Sequence, residues 1–151
     1  MISHRPLAAL HDRVVNAIAK QAISHVAYTN IGNHRTFCLV SGSQEVWPDV
    51  ILCDQDALLV EHVVEVETDE SLTQGQLDRW RTIAAAVRDN GTLWLLVPDT
   101  AVQRAADLCR EHGIRARVGS WSLTPGGVTV SWHRARRPVR MAPAVAANST
   151  E

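Results

Sequence analysis

The sequence predicts an α/β fold in which a mixed β-sheet is flanked by helices and ends in a C-terminal β-hairpin. Three observations support this prediction. Apolar residues recur at helical spacing in three segments, β-branched residues cluster in short runs, and turn-forming residues separate the segments. Because helices and strands do not alternate one by one, the pattern indicates a mixed sheet rather than a regular doubly wound one.

Length and composition limit the possible classes of protein. The chain has 151 residues, of which 46% are hydrophobic and 21% charged, as is usual for one globular domain. We expect a domain over residues 1–133 and a flexible basic, Ala-rich tail over residues 134–151. No apolar run reaches the ~18 residues of a membrane-spanning helix, so we expect no membrane partner. Three widely spaced cysteines favour a reducing, cytoplasmic setting.

The first half of the chain predicts a helix followed by antiparallel strands. The helix should run from Pro6 to about Ser24. Its apolar positions are Leu7, Leu10, Val14, Ile18 and Ala22. Residues 25–39 then favour a strand and its return, and Gly42 with Ser43 favours a further turn. Two more strands are predicted at 49–53 and 58–68, the second apolar enough to lie at the centre of a sheet.

The second half predicts two helices, a strand between them and a hairpin. Ser71 or Thr73 would cap the second helix, and Gly91 would follow its end. Residues 92–97 form an apolar strand, after which Asp99 would cap a third helix that ends before Gly113. The alternation of residues 114–118 and the turn at 125–127 then predict the final hairpin.

Three carboxylates stand out against this plan: Asp49 begins one strand, and Glu65 and Glu67 lie two apart within the next. Side chains at i and i+2 of a strand share one face, and a short hairpin would bring Asp49 beside them. Acids inside an apolar strand are costly to bury, so such a cluster either holds protons or binds a cation. Mg²⁺ and Mn²⁺ prefer oxygen ligands of this kind.

These residues resemble a known family. Trp47-Pro48-Asp49, then Val63-Val64-Glu65-Val66-Glu67-Thr68, with a helix before and a helix and strand after, look like the motif of the PD-(D/E)XK nucleases. The resemblance covers roughly Pro6 to Val97 and implies a restriction endonuclease-like core. It also implies that Mg²⁺ or Mn²⁺ is bound by Asp49, Glu65 and the carbonyl of Val66.

The resemblance departs from the family at Glu67, which stands where most members have a lysine that activates the attacking water. Some members carry glutamate there, where it would accept the proton of the water. The segment Gln76-Leu77-Asp78-Arg79-Trp80 is similar to the Gln-x-x-x-Tyr element of the exonuclease branch, which would give Gln76 a catalytic role. The alternative for Gln76 is a helix-capping residue.

The arginines that would hold a phosphate backbone are predicted on the second helix and the following strand. They are Arg79, Arg81, Arg115 and Arg117, each of which has the alternative of being an ordinary surface arginine. The resemblance also implies that Asp12 or His11 on the first helix is a further metal ligand, since members of the family often have an acid there. His62 should face the side of the sheet opposite to Glu65, where we expect no metal role.

The sequence therefore predicts a metal-dependent nuclease that hydrolyses DNA phosphodiester bonds. The alternative is a non-catalytic domain of the same fold that binds nucleic acid or a protein partner, with the acids as a structural feature. Whether the chain is an enzyme depends on Glu67. At this length sequence specificity would require a partner or a homodimer.

Overall fold

A computed structural model describes residues 4–56, 58–88 and 91–133 of the chain. The tail expected over residues 134–151 lies outside the described residues. Three α-helices are present in the described part: α1 His4–Gln21, α2 Leu77–Val87 and α3 Val102–Glu111. The strands are β1 Val26–Thr29, β2 Leu39–Ser41, β3 Gln44–Val46, β4 Val50–Cys53, β5 Val60–Val66, β6 Thr92–Pro98, β7 Arg117–Thr124 and β8 Gly127–Ser131.

Six of the strands form one mixed sheet in the order β1-β4-β5-β6-β7-β8. Neighbours β1 and β4, and β4 and β5, are antiparallel, whereas β5, β6 and β7 are parallel to one another. The terminal hairpin adds β8 antiparallel to β7. The remaining strands, β2 and β3, form a separate hairpin around the predicted turn at Gly42 and Ser43. The prediction of a mixed α/β fold with a C-terminal hairpin is thus confirmed.

Two apolar layers cover the faces of the sheet. On one face α2 and α3 pack against alternate residues of β5 and β6, with Trp80 and Ile83 fully buried. On the other face α1 buries Val14, Val15 and Ile18 against the intervening residues. Because the later part of β5 is covered on both faces, Glu65 and the adjoining Glu67 are buried, whereas Glu61 near the start of the strand is exposed.

Two predicted helix caps are wrong. A 3-10 turn, Gln74–Gln76, precedes α2, and neither Thr73 nor Gln76 makes a side-chain cap hydrogen bond. Another 3-10 turn, Asp99–Ala101, precedes α3, so Asp99 lies inside a turn instead of capping the helix. In a 3-10 turn the backbone forms hydrogen bonds between residues i and i+3, and these bonds take the place of a side-chain cap at the start of the helix.

The predicted end of α3 is confirmed, whereas the predicted start of the next strand, β7, is wrong. Gly113 has φ +64°, the left-handed conformation that ends helices and that glycine adopts at low cost. The next strand was expected from residue 114, but β7 begins at Arg117, so Arg115 lies in the connection before it. In the described residues no helix has the length and apolar character to cross a membrane.

Candidate functional site

Asp49 and Glu65 are held together by the pairing of β4 with β5. Val50 lies opposite Val64, which places Asp49, just before β4, next to Glu65. The Asp49 amide donates to Glu65 Oε2 at 2.9 Å, and the Val66 amide donates to Asp49 Oδ2 at 2.8 Å. Each carboxylate therefore accepts from the other strand's backbone, and the two side chains are fixed at one point of the sheet.

His11 on α1 approaches this pair from the opposite layer. Its Nε2 lies 3.1 Å from Asp49 Oδ2, and its Nδ1 lies 3.0 Å from Asp12 Oδ1. Burial lowers the pKa of His11, but the hydrogen bonds and charges of Asp49 and Asp12 outweigh burial and raise that pKa to about 9. His11 is therefore a cation at neutral pH and neutralises part of the acidic site.

Arg79 supplies the second cation. Its Nε donates to Glu65 Oε1 at 2.6 Å, and its Nη2 lies 3.1 Å from Glu65 Oε2 and 2.8 Å from the carbonyl oxygen of Trp47. This is the two-pronged contact that suits a planar guanidinium and a carboxylate. The same arginine ties α2 to the segment that leads into Asp49.

The charge state of Glu65 follows from its contacts. Burial raises the pKa of Glu65 to about 8, with the charge of Asp49 adding to the rise and Arg79 opposing it. Burial lowers the pKa of Arg79, but the charge of Glu65 raises it on balance. The raised pKa of Glu65 favours a neutral carboxylic acid, whereas the raised pKa of Arg79 favours an ion pair, so the two directions conflict. Both oxygens of Glu65 accept hydrogen bonds and neither meets an acceptor, so the contacts are those of an ionised carboxylate.

Glu67 is buried on the same face as Glu65, with 1% of its surface exposed. Its Oε1 accepts from Ser71 Oγ at 2.5 Å and from Gln76 Nε2 at 3.3 Å, and its Oε2 accepts from Trp80 Nε1 at 2.9 Å. Burial raises the pKa of Glu67, although the donors Ser71 and Trp80 oppose the rise. Gln76, which the sequence assigned either to catalysis or to a cap, orients Glu67 instead of capping α2.

A cleft of about 450 Å³ opens over these carboxylates, and we call it the carboxylate cleft. Its lining includes His11, Asp49, Val66 and Glu67, together with the exposed Glu70. Asp49 Oδ2 is taken by His11 and the Val66 amide, whereas Oδ1 makes no hydrogen bond to the described residues. Asp49 therefore has one carboxylate oxygen available to a ligand in the cleft.

Asn30 supports the site and was missed in the sequence. Its Nδ2 donates to the carbonyls of Phe37 and Pro48 at 2.8 and 2.6 Å, and its Oδ1 accepts from the amide of Thr36 at 2.8 Å. The Asn30 amide also donates to the carbonyl of Asp49 at 3.0 Å. The asparagine thus fixes the approach of the chain to Asp49. No local sequence signal identified it, because its partners are distant backbone groups.

The four predicted phosphate-binding arginines are divided between two places. Arg79 lies in the carboxylate cleft, paired with Glu65. Arg81, Arg115 and Arg117, joined by Arg88, line a separate cleft of about 760 Å³, which we call the arginine cleft. No acidic residue lines it among the described residues. The arginine cleft borders Thr92 at the start of β6. Leu95 and Leu96, which pair with Glu65 and Val66, lie three to four residues further along this strand, or ~10–13 Å away.

A second cluster of potential ligands lies at the beginning of β5. Among the described residues, the group of His, Cys, Asp or Glu atoms close enough to share one ion consists of His25, Glu61 and His62, with all ligand atoms within 4.8 Å of one another. His62 does face the layer opposite Glu65, where Trp94 contacts it. Asp49, Glu65 and Glu67 do not form a group of this kind among the described residues, where Arg79 is bound to Glu65.

Comparison with known proteins adds no identification. No family model, no curated protein and no solved structure matches this chain.

Proposed function

We propose that the chain is a divalent-metal-dependent nuclease of the PD-(D/E)XK type, which hydrolyses DNA phosphodiester bonds at the carboxylate cleft. The observation that carries the proposal is the pair of reciprocal backbone hydrogen bonds that hold the carboxylates of Asp49 and Glu65 together. The order of α1, three sheet strands, α2 and β6, with β5 and β6 parallel, supports the same family.

The chemistry of the donor set fits Mg²⁺ or Mn²⁺. Asp49 offers its free Oδ1, the resemblance adds the carbonyl of Val66, and Glu65 becomes a third oxygen donor once Arg79 turns away. Arg79 can turn because 35% of its side chain is exposed. The negative phosphate of a bound substrate provides the alternative partner for its guanidinium. The ion would polarise the phosphoryl oxygen and lower the pKa of its bound water.

Glu67 is suited to accept the proton of the attacking water. A raised pKa makes a carboxylate a stronger base, and general bases act best when their pKa lies near the working pH. Ser71, Gln76 and Trp80 fix its orientation, so that it needs no lysine to be positioned. His11 stabilises the ionised form of Asp49 through the contact at Oδ2.

Cleavage assays test this proposal. Plasmid and single-stranded DNA are incubated with Mg²⁺ or Mn²⁺ and the wild-type chain, Asp49→Asn, Glu65→Gln or Glu70→Gln. We expect the first two variants to lose at least ~100-fold in rate, because a catalytic metal ion contributes several kcal/mol. Glu70 lines the cleft but is exposed, so Glu70→Gln is the matched control and should cleave as the wild type does. Equal cleavage by Asp49→Asn, or none by the wild type, would refute the proposal.

A second candidate function is a non-catalytic domain that binds nucleic acid. The arginine cleft favours it, because four arginines line one surface with no acidic residue among its described lining. Metal-free DNA binding measured against salt concentration tests this function. Arg88→Gln and Arg117→Gln should each reduce the slope of log affinity against log salt by up to ~0.9, whereas Arg110→Gln on α3 should leave it unchanged. A homodimer stays a prediction, which sedimentation velocity would check.

A further inference from the structure

The cluster of His25, Glu61 and His62 lies at the opposite end of β5 from Glu65 and Glu67. Three to six residues separate the two places, or roughly 10–20 Å along the strand. His25 precedes the edge strand β1 and reaches across the end of β4 to the beginning of β5. A residue that precedes the edge strand thus meets two consecutive residues of the central strand.

The contacts within the cluster are those of metal-ligating groups. His25 Nε2 lies 2.9 Å from Glu61 Oε1, and the rings of His25 and His62 meet edge to face with centroids 5.4 Å apart. A tetrahedral zinc ion with bonds of about 2.0–2.2 Å separates its ligand atoms by roughly 3.3–3.6 Å. The ligand atoms of the cluster are separated by 2.9 Å between His25 and Glu61 and by at most 4.8 Å elsewhere, so these values lie on both sides of the tetrahedral separation, and the half-exposed Glu61 side chain can adjust to it.

We propose that His25, Glu61 and His62 form a transition-metal site that binds Zn²⁺ with a fourth position open to water. Two imidazoles and one carboxylate favour zinc over magnesium or calcium, which prefer ligand sets made of oxygen alone. The site is independent of the nuclease proposed above and differs from it in metal preference. Bound metal would tie the segment before β1 to the central strand β5.

The hydrogen bond at the other ring nitrogen decides how readily each histidine can bind a metal ion. His25 Nδ1 lies 3.2 Å from Ser24 Oγ, so a protonated Nδ1 can donate to the hydroxyl while Nε2 faces the metal. Trp94 Nε1 donates to His62 Nδ1 at 3.3 Å, however, and this favours the tautomer with the proton on Nε2.

Metal binding through His62 Nε2 therefore requires a change of tautomer and the loss of the Trp94 hydrogen bond. A single neutral hydrogen bond is weak beside the coordination of a metal ion by three side chains, so the loss of this bond does not prevent binding. The change also leaves the Trp94 indole without its acceptor, and we expect tryptophan fluorescence to respond to the metal.

Titration of the full chain with Co²⁺, a spectroscopic substitute for Zn²⁺, tests the site, followed by competition with Zn²⁺. We expect one Co²⁺ per chain with the visible absorption of a four-coordinate ion, which Zn²⁺ removes. His25→Gln and Glu61→Gln should weaken binding by at least ~100-fold, since even indirect neighbours of a metal account for about 10–100-fold. Both side chains are partly exposed, so these variants should fold.

Two control variants separate this site from others on the chain. His34→Gln changes an exposed histidine elsewhere, and Asp49→Asn changes the carboxylate cleft. Both should retain the four-coordinate Co²⁺ absorption of the wild type, because that signal reports the site with two imidazoles and not an oxygen-ligand site in the cleft. The proposal is overturned if the wild type binds no Co²⁺ at millimolar concentration, or if Asp49→Asn abolishes binding while His25→Gln leaves it intact. Cleavage of DNA, present or absent, does not bear on this outcome.

Discussion

Arg79 contacts both carboxylate oxygens of Glu65, at 2.6 Å from Nε and 3.1 Å from Nη2. A guanidinium thus lies against the carboxylate that the PD-(D/E)XK resemblance assigns to a metal ion. Together with His11 on Asp49, it neutralises the buried acids from within the chain. The acids of the site are therefore neutralised by His11 and Arg79. A metal ion that binds Glu65 would have to displace Arg79.

Arg79→Met should lower the free energy of unfolding by about 3 kcal/mol, because it leaves Glu65 buried without its cationic partner. A buried carboxyl with a raised pKa destabilises the fold increasingly as pH rises from the ordinary pKa of the group to the raised pKa. The stability lost in Arg79→Met should therefore be larger at pH 8 than at pH 5. Urea unfolding at both pH values checks this. The double variant with Glu65→Gln should recover part of the loss.

Arg81→Met is the matched control for this prediction. Arg81 lies on the same helix and pairs with Asp78, whose side chain is 97% exposed. Exposed pairs of this kind contribute about 0–1 kcal/mol. A loss in Arg81→Met as large as that in Arg79→Met would contradict the special role of the Glu65 contact.

Glu67→Lys, which introduces the residue that most PD-(D/E)XK nucleases carry at the position that Glu67 resembles, should destabilise this chain. An ammonium group would replace the acceptor of three donors, and the Trp80 indole N–H would lose its partner. We expect a loss of about 3–5 kcal/mol, as for other unpaired buried charges. Glu67→Gln retains an acceptor and should lose only about 1 kcal/mol. Thermal unfolding of the two variants compares them, and a Glu67→Lys chain as stable as the wild type would contradict the assigned contacts.

His11 should make stability dependent on pH in a defined window. Its folded pKa of about 9 lies above its ordinary value of 6.5. A raised histidine pKa stabilises the fold fully below pH 6.5, and this contribution is lost as pH rises through 9. The wild type should therefore exceed His11→Gln by about 1–2 kcal/mol at pH 6, after allowance for solvent screening, and by almost nothing near pH 10. An equal difference in stability at pH 6 and pH 10 would contradict the assigned contacts of His11.

Gly119→Ala should destabilise the sheet by about 1–3 kcal/mol through overpacking. A Cβ at this position of β7 would lie 2.5 Å from Leu96 Cδ2 and 2.8 Å from the backbone oxygen of Ser131. Gly126→Ala is the control, since its nearest neighbour would be 3.9 Å away and its φ is not positive. Chemical denaturation measures both, and equal stability of the two variants would show that β7 and β8 can separate freely.

The sequence by itself determined the architecture where the pattern was local. Three helices, the turn at Gly42 and the last hairpin follow from periodicity and turn residues, and those predictions are confirmed. The nearness of Asp49 to Glu65 also follows from a local feature, because a short connection makes β4 and β5 neighbours. The predicted side-chain caps of α2 and α3 failed, since backbone 3-10 turns satisfy the same groups.

Tertiary structure alone decided which partners the acidic side chains have. Arg79 is 14 residues from Glu65, Trp80 donates to the Glu67 carboxylate from 13 residues away, and His25 meets Glu61 across 36 residues. No periodicity encodes such contacts, because they depend on how helices lie over the sheet and on the rotamer of each long side chain. For Asp49 and Glu65, the sequence determined which residues stand side by side. The packing of α1 and α2 decided that His11 and Arg79 already neutralise their charge.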